Sequence, residues 1–286
     1  MRFAWVLNQD AELELARPGY NPSARLLAQL AEHGAAAKAL LGPNDVLIEH
    51  GVHVGADFVG RAWCPTPLAL AKLRVAGVEP EPYPTVDVLR RVNHRKFAFD
   101  VGGGLPDQHY VTELQQIEKL LGQASPWLCK RPLVFAGRGQ LRVRHTLDAK
   151  QTDWVSAGLR FDGLIVEPLV TPLLEVSLHG FIWPDQRFEL GRVCVQDVSD
   201  RGVYRGVRLA EADELKSDEQ ERFFASADLV ARALGLAGYF GPFGIDGYRY
   251  TVEERTGFCA LGEINARYTM AFATGFGRSS STIRLR

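Results

Sequence analysis

The chain has 286 residues, of which 46% are hydrophobic and 23% charged, as in an ordinary soluble globular protein. Its 33 basic and 34 acidic residues give a formal net charge of −1, which argues against a broad attraction to nucleic acid or to a membrane surface. The first residues do not form a basic segment followed by an apolar one, and no apolar run reaches the length of a membrane span. We therefore expect a cytoplasmic protein.

The four cysteines are far apart in the sequence and form no C-x-x-C pair. They are Cys64, Cys129, Cys194 and Cys259. This spacing favours buried free thiols in a reducing compartment over disulfides or a zinc site.

The N-terminal region alternates strand and helix patterns. Residues 2–8 and Asp45–Glu49 read as buried strands, a helix is predicted from Asn21–Ser23 to Gly34, and a second helix over Pro67–Val75. Strands that alternate with helices predict a small open α/β domain with a parallel core over residues 1–90, and the prolines of residues 80–84 mark its edge.

The middle region, residues 91–166, contains a predicted helix over Val111–Leu121 and a glycine-rich segment over 126–143. A Gly-x-Gly sequence suggests a dinucleotide fold or a P-loop, but both need a helix next, and residues 141–145 are strand-like. We therefore predict a hairpin whose loop contains Gly137, Arg138 and Gly139, with Lys130 on the strand before it. Such a loop can close over phosphates, although an ordinary hairpin with a surface lysine explains the pattern equally well.

The last region, residues 167–286, begins where an apolar strand ends at Glu167 and a proline, a combination typical of a hinge. Alternation over Leu173–Ile182 places Glu175, Ser177 and His179 on one face of a strand, and residues 188–198 return from it. An amphipathic helix is predicted over Ser217–Leu236.

Residues 241–268 read as two strands around a polar turn. A two-residue loop at Glu254–Arg255 would place Asp246 opposite Glu263, with Asn265 and Arg267 on the same face as Glu263. Two opposed carboxylates repel each other, so a positive ion is expected between them. The oxygens of the two carboxylates and of the Asn265 side chain suit Mg²⁺, which usually takes phosphate oxygens as further ligands. A solvated hairpin face that carries acids is the alternative interpretation.

These segments, in this order, resemble the ATP-grasp superfamily of carboxylate–amine ligases. The resemblance covers about residues 91–270 and is most specific at GEINARY, which is similar to the E-x-N-x-R strand of that superfamily. It implies an ATP-grasp fold of the α/β class, with α+β lobes around ATP. It also implies small-molecule carboxylate and amine substrates, and the balanced charge gives no support for a nucleic-acid or membrane partner.

The resemblance implies roles for particular residues. Asp246, Glu263 and Asn265 would hold Mg²⁺, or Mn²⁺ in its place, on the phosphates of ATP, and Arg267 would grip a substrate carboxylate or acyl phosphate. The ATP-binding set would be Lys96, Lys130, Gly137, Arg138, Gly139, Glu167, Leu169 and Glu175, with Lys130 on the α-phosphate, Glu167 and Leu169 at the adenine, and Glu175 on the ribose.

Two points depart from the family pattern. The spacing around Lys96 is not cleanly kept, which leaves Arg95 as the alternative basic residue. D-alanine ligases carry an arginine where this chain has Gly244, which places that identity in doubt and favours Arg267 as the charge-stabilising residue. The short N-terminal lobe leaves open that a second subunit of a homodimer supplies part of the substrate pocket.

The sequence therefore predicts an ATP-dependent carboxylate–amine ligase that works through an acyl phosphate. The sequence leaves two alternatives open. One is a phosphotransferase on the same fold, and the other is a nucleotide-binding protein without turnover. Fold-level analogy does not choose the substrates.

Overall fold

The structure is a computed structural model that describes residues 2–17, 19–48, 52–122, 126–134, 139–198 and 204–277. Three sheets organise these residues. None of the helices in this part of the chain combines the length and apolarity that a membrane crossing requires.

The N-terminal sheet is parallel, with strand order β2-β1-β3-β4. Its elements are β1 (Phe3–Val6), α1 (Ala11–Ala16), α2 (Ala24–Ala37), a 3₁₀ turn (Lys38–Leu40), β2 (Val46–Leu47), β3 (Val59–Ala62), α3 (Pro67–Val75) and β4 (Glu79–Pro80). The carboxylate of Asp45 fastens β1, because it accepts hydrogen bonds from the Phe3 amide at 2.9 Å and the Trp5 indole at 3.0 Å. Helices α4 (Val86–Asn93) and α5 (Arg95–Asp100) lead to the next sheet.

The second sheet is antiparallel, with order β5-β8-β6-β7, and has its own apolar core around Trp127, Val155 and Leu164. Its elements are β5 (His109–Val111), α6 (Leu114–Leu121), β6 (Trp127–Lys130), β7 (Gln140–Val143), α7 (Ala149–Asp162) and β8 (Leu164–Pro168).

The third and largest sheet has order β12-β11-β9-β13-β14, with β10 paired to β9. Its elements are β9 (Thr171–Ile182), β10 (Phe188–Leu190), β11 (Cys194–Val198), β12 (Tyr204–Leu209), α8 (Ser217–Leu236), β13 (Gly241–Val252), β14 (Arg255–Asn265) and α9 (Phe272–Gly275). Val176 and Leu178 of β9 share a core with Phe223 and Val230 of α8. The polar alternate positions of β9 therefore lie on the opposite face, which carries the candidate site.

Several sequence predictions are confirmed by these bounds, and others need correction. Helices α3 and α8 have the predicted limits, and the four cysteines are free and buried. Helix α2 continues past Gly34 to Ala37, and the segment 188–198 forms two strands instead of one. Helices α1 and α7 were not predicted.

Candidate functional site

The site is built on the β13–β14 hairpin, where Asp246 lies directly opposite Glu263 as predicted. The predicted loop was wrong. Val252 pairs with Arg255, so Glu253 and Glu254 form the turn, and Glu253 has a φ of 53°. With this turn and a regular ladder, the partner of Asp246 would lie two residues away from Glu263. A β-bulge between Asp246 and Tyr248 removes this difference, so the two acids remain opposite each other. Extra residues on one strand of a bulge change the register in this way.

The Asp246 carboxylate is held by two side-chain amides. Asn265 Nδ2 donates to its Oδ2 and Gln196 Nε2 donates to its Oδ1, each at 2.8 Å. Burial and, to a smaller extent, the charge of Glu263 raise the pKa of Asp246 to about 7, against the opposing effects of the two amides and of the Arg267 charge. The site therefore concentrates negative charge where a carboxylate is difficult to keep ionised.

This donor set fits a hard divalent cation. Two opposed carboxylates and the remaining amide oxygen of Asn265 are the oxygen ligands that Mg²⁺ prefers, and a cation would relieve the repulsion that raises the Asp246 pKa. Within the described ranges, no three His, Cys, Asp or Glu side chains come together in a metal-binding group. The protein would thus supply few ligands and leave the others to water and phosphate.

The structure separates the two candidates for the first basic position. Arg95 is almost fully buried and donates to Glu263 Oε1 at 2.8 Å and to the Arg131 carbonyl at 2.5 Å. Lys96 instead pairs with Asp100 at 2.7 Å on the surface. Of the two, only Arg95 is brought to the acidic pair.

Lys130 and Glu167 come together between neighbouring strands of the second sheet, with Nζ and Oε1 2.5 Å apart and both side chains largely buried. Burial and the nearby charge of Glu167 raise the pKa of Tyr248, so this ion pair faces the large sheet. Leu169 donates its amide to the Pro126 carbonyl at 2.8 Å.

Two further predicted ATP-binding residues, Glu175 and Gly139, lie within the described part of the chain. Glu175 of β9 is opposite both Gln196 and Tyr248, and burial raises its pKa. Gly139 has a φ of 66° and accepts from the Arg131 amide at 2.9 Å, which closes the base of the hairpin loop. Gly137 and Arg138 lie outside the described residues.

Arg267 lies beyond the end of β14 and reaches the N-terminal lobe. Its guanidinium forms an ion pair with Glu12 of α1, and lies 5.7 Å from the centre of the Trp63 ring. The charge of Arg267 lowers the pKa of Asp246, and the charge of Glu263 raises the pKa of Arg267. This buried cation therefore lies near the acidic pair. Arg267 therefore joins the hairpin to the N-terminal sheet.

Gly244 has no room for a side chain. A Cβ there would lie 2.9 Å from His179 Cδ2 and 3.2 Å from Thr269 Cγ2. Burial lowers the pKa of His179 to about 3, so its ring is neutral. A side chain at this position would therefore clash with His179 and Thr269 in this structure.

Sequence reasoning missed Gln196 and Glu12. Gln196 is one of two polar residues within the short strand β11. Strand β9 pairs with both β11 and β13, and this strand order brings Gln196 to Asp246 of β13. Glu12 belongs to a helix of six residues that was not predicted. Its acidic charge beside apolar neighbours in AELELA was the available signal.

No protein-family model and no curated protein matches the chain. Solved structures do match. The N5-carboxyaminoimidazole synthetase from Staphylococcus aureus, complexed with ADP, is 11% identical with a TM-score of 0.54, over 94% of this chain and 72% of that one. The D-alanyl-alanine synthetase A from Vibrio cholerae is 12% identical with a TM-score of 0.55, over 93% and 88%.

A third match is the biotin carboxylase from Campylobacter jejuni, in a β,γ-ATP complex. It is 11% identical with a TM-score of 0.57, over 99% of this chain and 68% of that one. At sequence identities this low, the structural similarity is evidence of a shared fold and of nothing further. The chain has the ATP-grasp fold.

Proposed function

We propose that the protein is an ATP-dependent carboxylate–amine ligase that forms an amide or peptide bond, with ADP and phosphate as products. The observation that carries this proposal is the pairing of Asp246 with Glu263 beside Asn265, with Arg267 two residues after the hairpin ends, within the ATP-grasp fold. The fold neighbours include ligases and an ADP complex, which supports the same interpretation.

The nucleotide would lie between the lobes formed by residues 91–166 and 167–286. In this proposal Lys130 contacts the α-phosphate, Glu167 and the Leu169 carbonyl meet the adenine amino group, and Glu175 binds the ribose. Arg95 takes the basic position for which Lys96 was the first candidate. The loop of Gly137, Arg138 and Gly139 would close over the phosphates, as the resemblance implies.

The reaction needs an activated carboxylate, because an amine does not displace oxide from a carboxylate. A carboxylate oxygen attacks the γ-phosphorus of ATP, the bond to the β-phosphate oxygen breaks, and ADP leaves. The amine nitrogen then attacks the acyl carbon, phosphate leaves and the amine loses a proton to solvent. Bound Mg²⁺ would offset the charge on the phosphoryl oxygens. Arg267 would hold the substrate carboxylate in line with that phosphorus.

This chemistry needs no nucleophilic side chain. The four cysteines are consistent with this, because all four are poor nucleophiles. Burial raises the pKa of Cys129 to about 12 and that of Cys194 to about 11, and it also raises the pKa of Cys64 and Cys259. Thiols with such high pKa values are poor nucleophiles near neutral pH.

Hydroxylamine trapping tests the proposal. The protein is incubated with Mg·ATP, hydroxylamine and a panel of amino acids and other small carboxylic acids, and both phosphate and hydroxamate are measured. We expect hydroxamate that depends on one acid or a narrow group of acids. The Glu263→Ala variant should form none, whereas Glu254→Ala, an exposed change in the turn of the same hairpin, should behave as the wild type.

The other outcomes favour the alternatives. ADP without hydroxamate, together with a phosphorylated acceptor, would indicate a phosphotransferase. Binding of Mg·ATP without turnover on any acid would indicate a nucleotide-binding protein.

A further inference from the structure

Arg95 is the counter-ion of a carboxylate that the candidate metal site needs. Its guanidinium donates from Nη2 to Glu263 Oε1 at 2.8 Å, and its side chain is 9% exposed, against 36% for that of Glu263. Within the described part of the chain, this is the one ion pair that either Asp246 or Glu263 forms. The protein therefore places a cation of its own beside the acidic pair.

The segment that follows β6 holds Arg95 in this place. The Arg131 carbonyl accepts from Arg95 Nη1 at 2.5 Å, and the Pro132 carbonyl accepts from the Arg95 amide at 3.1 Å. Arg131 is itself anchored to α7, because its guanidinium lies 4.6 Å from the centre of the Trp154 ring and donates to the Trp154 carbonyl at 3.3 Å. Arg95 therefore keeps its anchor when its contact with Glu263 is exchanged for another.

A divalent cation on the acidic pair has to share Glu263 with this arginine. A metal held by Glu263 would lie beside the guanidinium that already binds the same carboxylate, and like charges at such short range repel each other. A neighbouring charge changes the proton affinity of a carboxylate by about tenfold or more, and the same field acts on a metal ion. Arg95 therefore opposes the binding of a free divalent cation.

The phosphates of a nucleotide offer Arg95 another partner. The guanidinium has further N–H donors beyond the two that bind Glu263 and the Arg131 carbonyl. Phosphate oxygens accept from such a planar fork in pairs, and these charge-assisted hydrogen bonds are strong. Phosphates in the proposed position would draw the guanidinium away from Glu263. The released carboxylate then takes the metal that the same phosphates carry.

We propose that the ion pair between Arg95 and Glu263 is a switch on the candidate metal site. It keeps a free divalent cation off the acidic pair until the phosphates of a nucleotide replace Glu263 as the partner of Arg95. This inference rests on the proposed ligase function, since it concerns how the metal of that function enters. Metal and nucleotide then bind as one complex, and Arg95 neutralises Glu263 between turnovers.

Binding of Mn²⁺ to the protein without nucleotide tests the switch. The EPR signal of free Mn²⁺ falls as the ion binds, which gives an affinity that does not depend on turnover. We expect Arg95→Met to bind Mn²⁺ about tenfold more tightly than the wild type, because the competing cation is gone. Lys96→Met is the matched control and should match the wild type, since Lys96 pairs with Asp100 on the surface. Adding Glu263→Gln to Arg95→Met should abolish the gain, which would locate the ion on the acidic pair.

A second measurement uses AMP-PNP, an ATP analogue whose β–γ nitrogen bridge resists hydrolysis. In calorimetric titrations, Mg·AMP-PNP should bind Arg95→Met at least about tenfold more weakly than the wild type, because a charge-assisted donor to phosphate is lost. The same substitution thus acts in opposite directions on the free metal and on the nucleotide complex. Loss of local packing would weaken both.

Two further variants separate charge from shape. Arg95→Lys keeps the positive charge and should bind Mn²⁺ as weakly as the wild type does. Arg95→Gln removes the charge but keeps an N–H donor, and it should show the same gain in Mn²⁺ affinity as Arg95→Met. It replaces Arg95→Met in both measurements if circular dichroism shows that Arg95→Met does not fold.

The outcomes separate the switch from the ligase proposal. Mn²⁺ affinity that is equal or lower in the variants without the charge, with Mg·AMP-PNP bound normally by the wild type, would overturn the switch and leave the ligase intact. A gain in Mn²⁺ affinity that survives Glu263→Gln would also overturn the switch, because the ion would then lie elsewhere. If the wild type does not bind Mg·AMP-PNP, the nucleotide site of the ligase proposal fails and the switch fails with it.

Discussion

Replacement of Asp246 by asparagine should stabilise the protein at alkaline pH in the absence of divalent cations. Burial and Glu263 raise the Asp246 pKa from 3.8 to about 7. An acid whose pKa is higher in the folded state costs stability as pH rises from its unfolded pKa to its folded pKa, and the cost is constant above that. The rise corresponds to about 4 kcal/mol at most.

Two features reduce that magnitude. The side chain is half-buried, so water screens part of the penalty. An asparagine also has one acceptor oxygen, whereas Gln196 and Asn265 both donate to Asp246, and one lost hydrogen bond costs about 1 kcal/mol. We therefore expect Asp246→Asn to raise the free energy of unfolding by about 2 kcal/mol at pH 8.

Urea denaturation in EDTA at pH 5 and pH 8 measures this effect. The gain should shrink below about 1 kcal/mol at pH 5, where the wild-type carboxyl is protonated in the folded state. Asp197→Asn is the control, because it makes the same charge change at an exposed position of β11. If Asp246→Asn is no more stable than the wild type at pH 8, or if its gain is the same at both pH values, the buried carboxylate does not destabilise the folded protein in this way.

Two further predictions concern neighbouring residues. Arg95→Met should raise the KM for ATP at least about tenfold, because it removes a buried charge-assisted donor. Lys96→Met should leave the KM for ATP within about two-fold of the wild-type value. Equal effects of both variants in steady-state kinetics would count against the Arg95 assignment. Gly244→Ala should lower the free energy of unfolding by about 1–3 kcal/mol through contact with His179, as urea denaturation would show. Gly206→Ala, which meets no atom within 4 Å, is its control, and an equally small loss in both would contradict the steric argument.

The elements that the sequence predicted well are those with a strong local pattern. Helix α8 has a long apolar stripe, and the β9 alternation places Glu175, Ser177 and His179 on one face because side chains alternate along any strand. The opposition of Asp246 and Glu263 was predicted from a two-residue loop set one residue too late. The two residues are nevertheless opposite each other, because the β-bulge between Asp246 and Tyr248 offsets the register set by the actual turn at Glu253–Glu254.

The parts that could not be predicted depend on contacts between distant segments. Gln196 reaches Asp246 only through the order of strands in the large sheet, and Glu12 reaches Arg267 across 255 residues of sequence. The choice between Arg95 and Lys96 depends on which face of α5 meets β14, and a helix of six residues is too short for its pattern to decide that. Long-range pairing therefore completes the candidate site.

The most direct test of the account is calorimetric titration of Mg·ATP into the wild type, Glu263→Ala and Glu254→Ala. We expect the wild type and Glu254→Ala to bind one equivalent of Mg·ATP with equal affinity, and Glu263→Ala to bind it at least about 100-fold more weakly because a metal ligand is missing. Equal affinity in all three proteins would show that the opposed carboxylates of the hairpin do not hold the metal and phosphates of ATP.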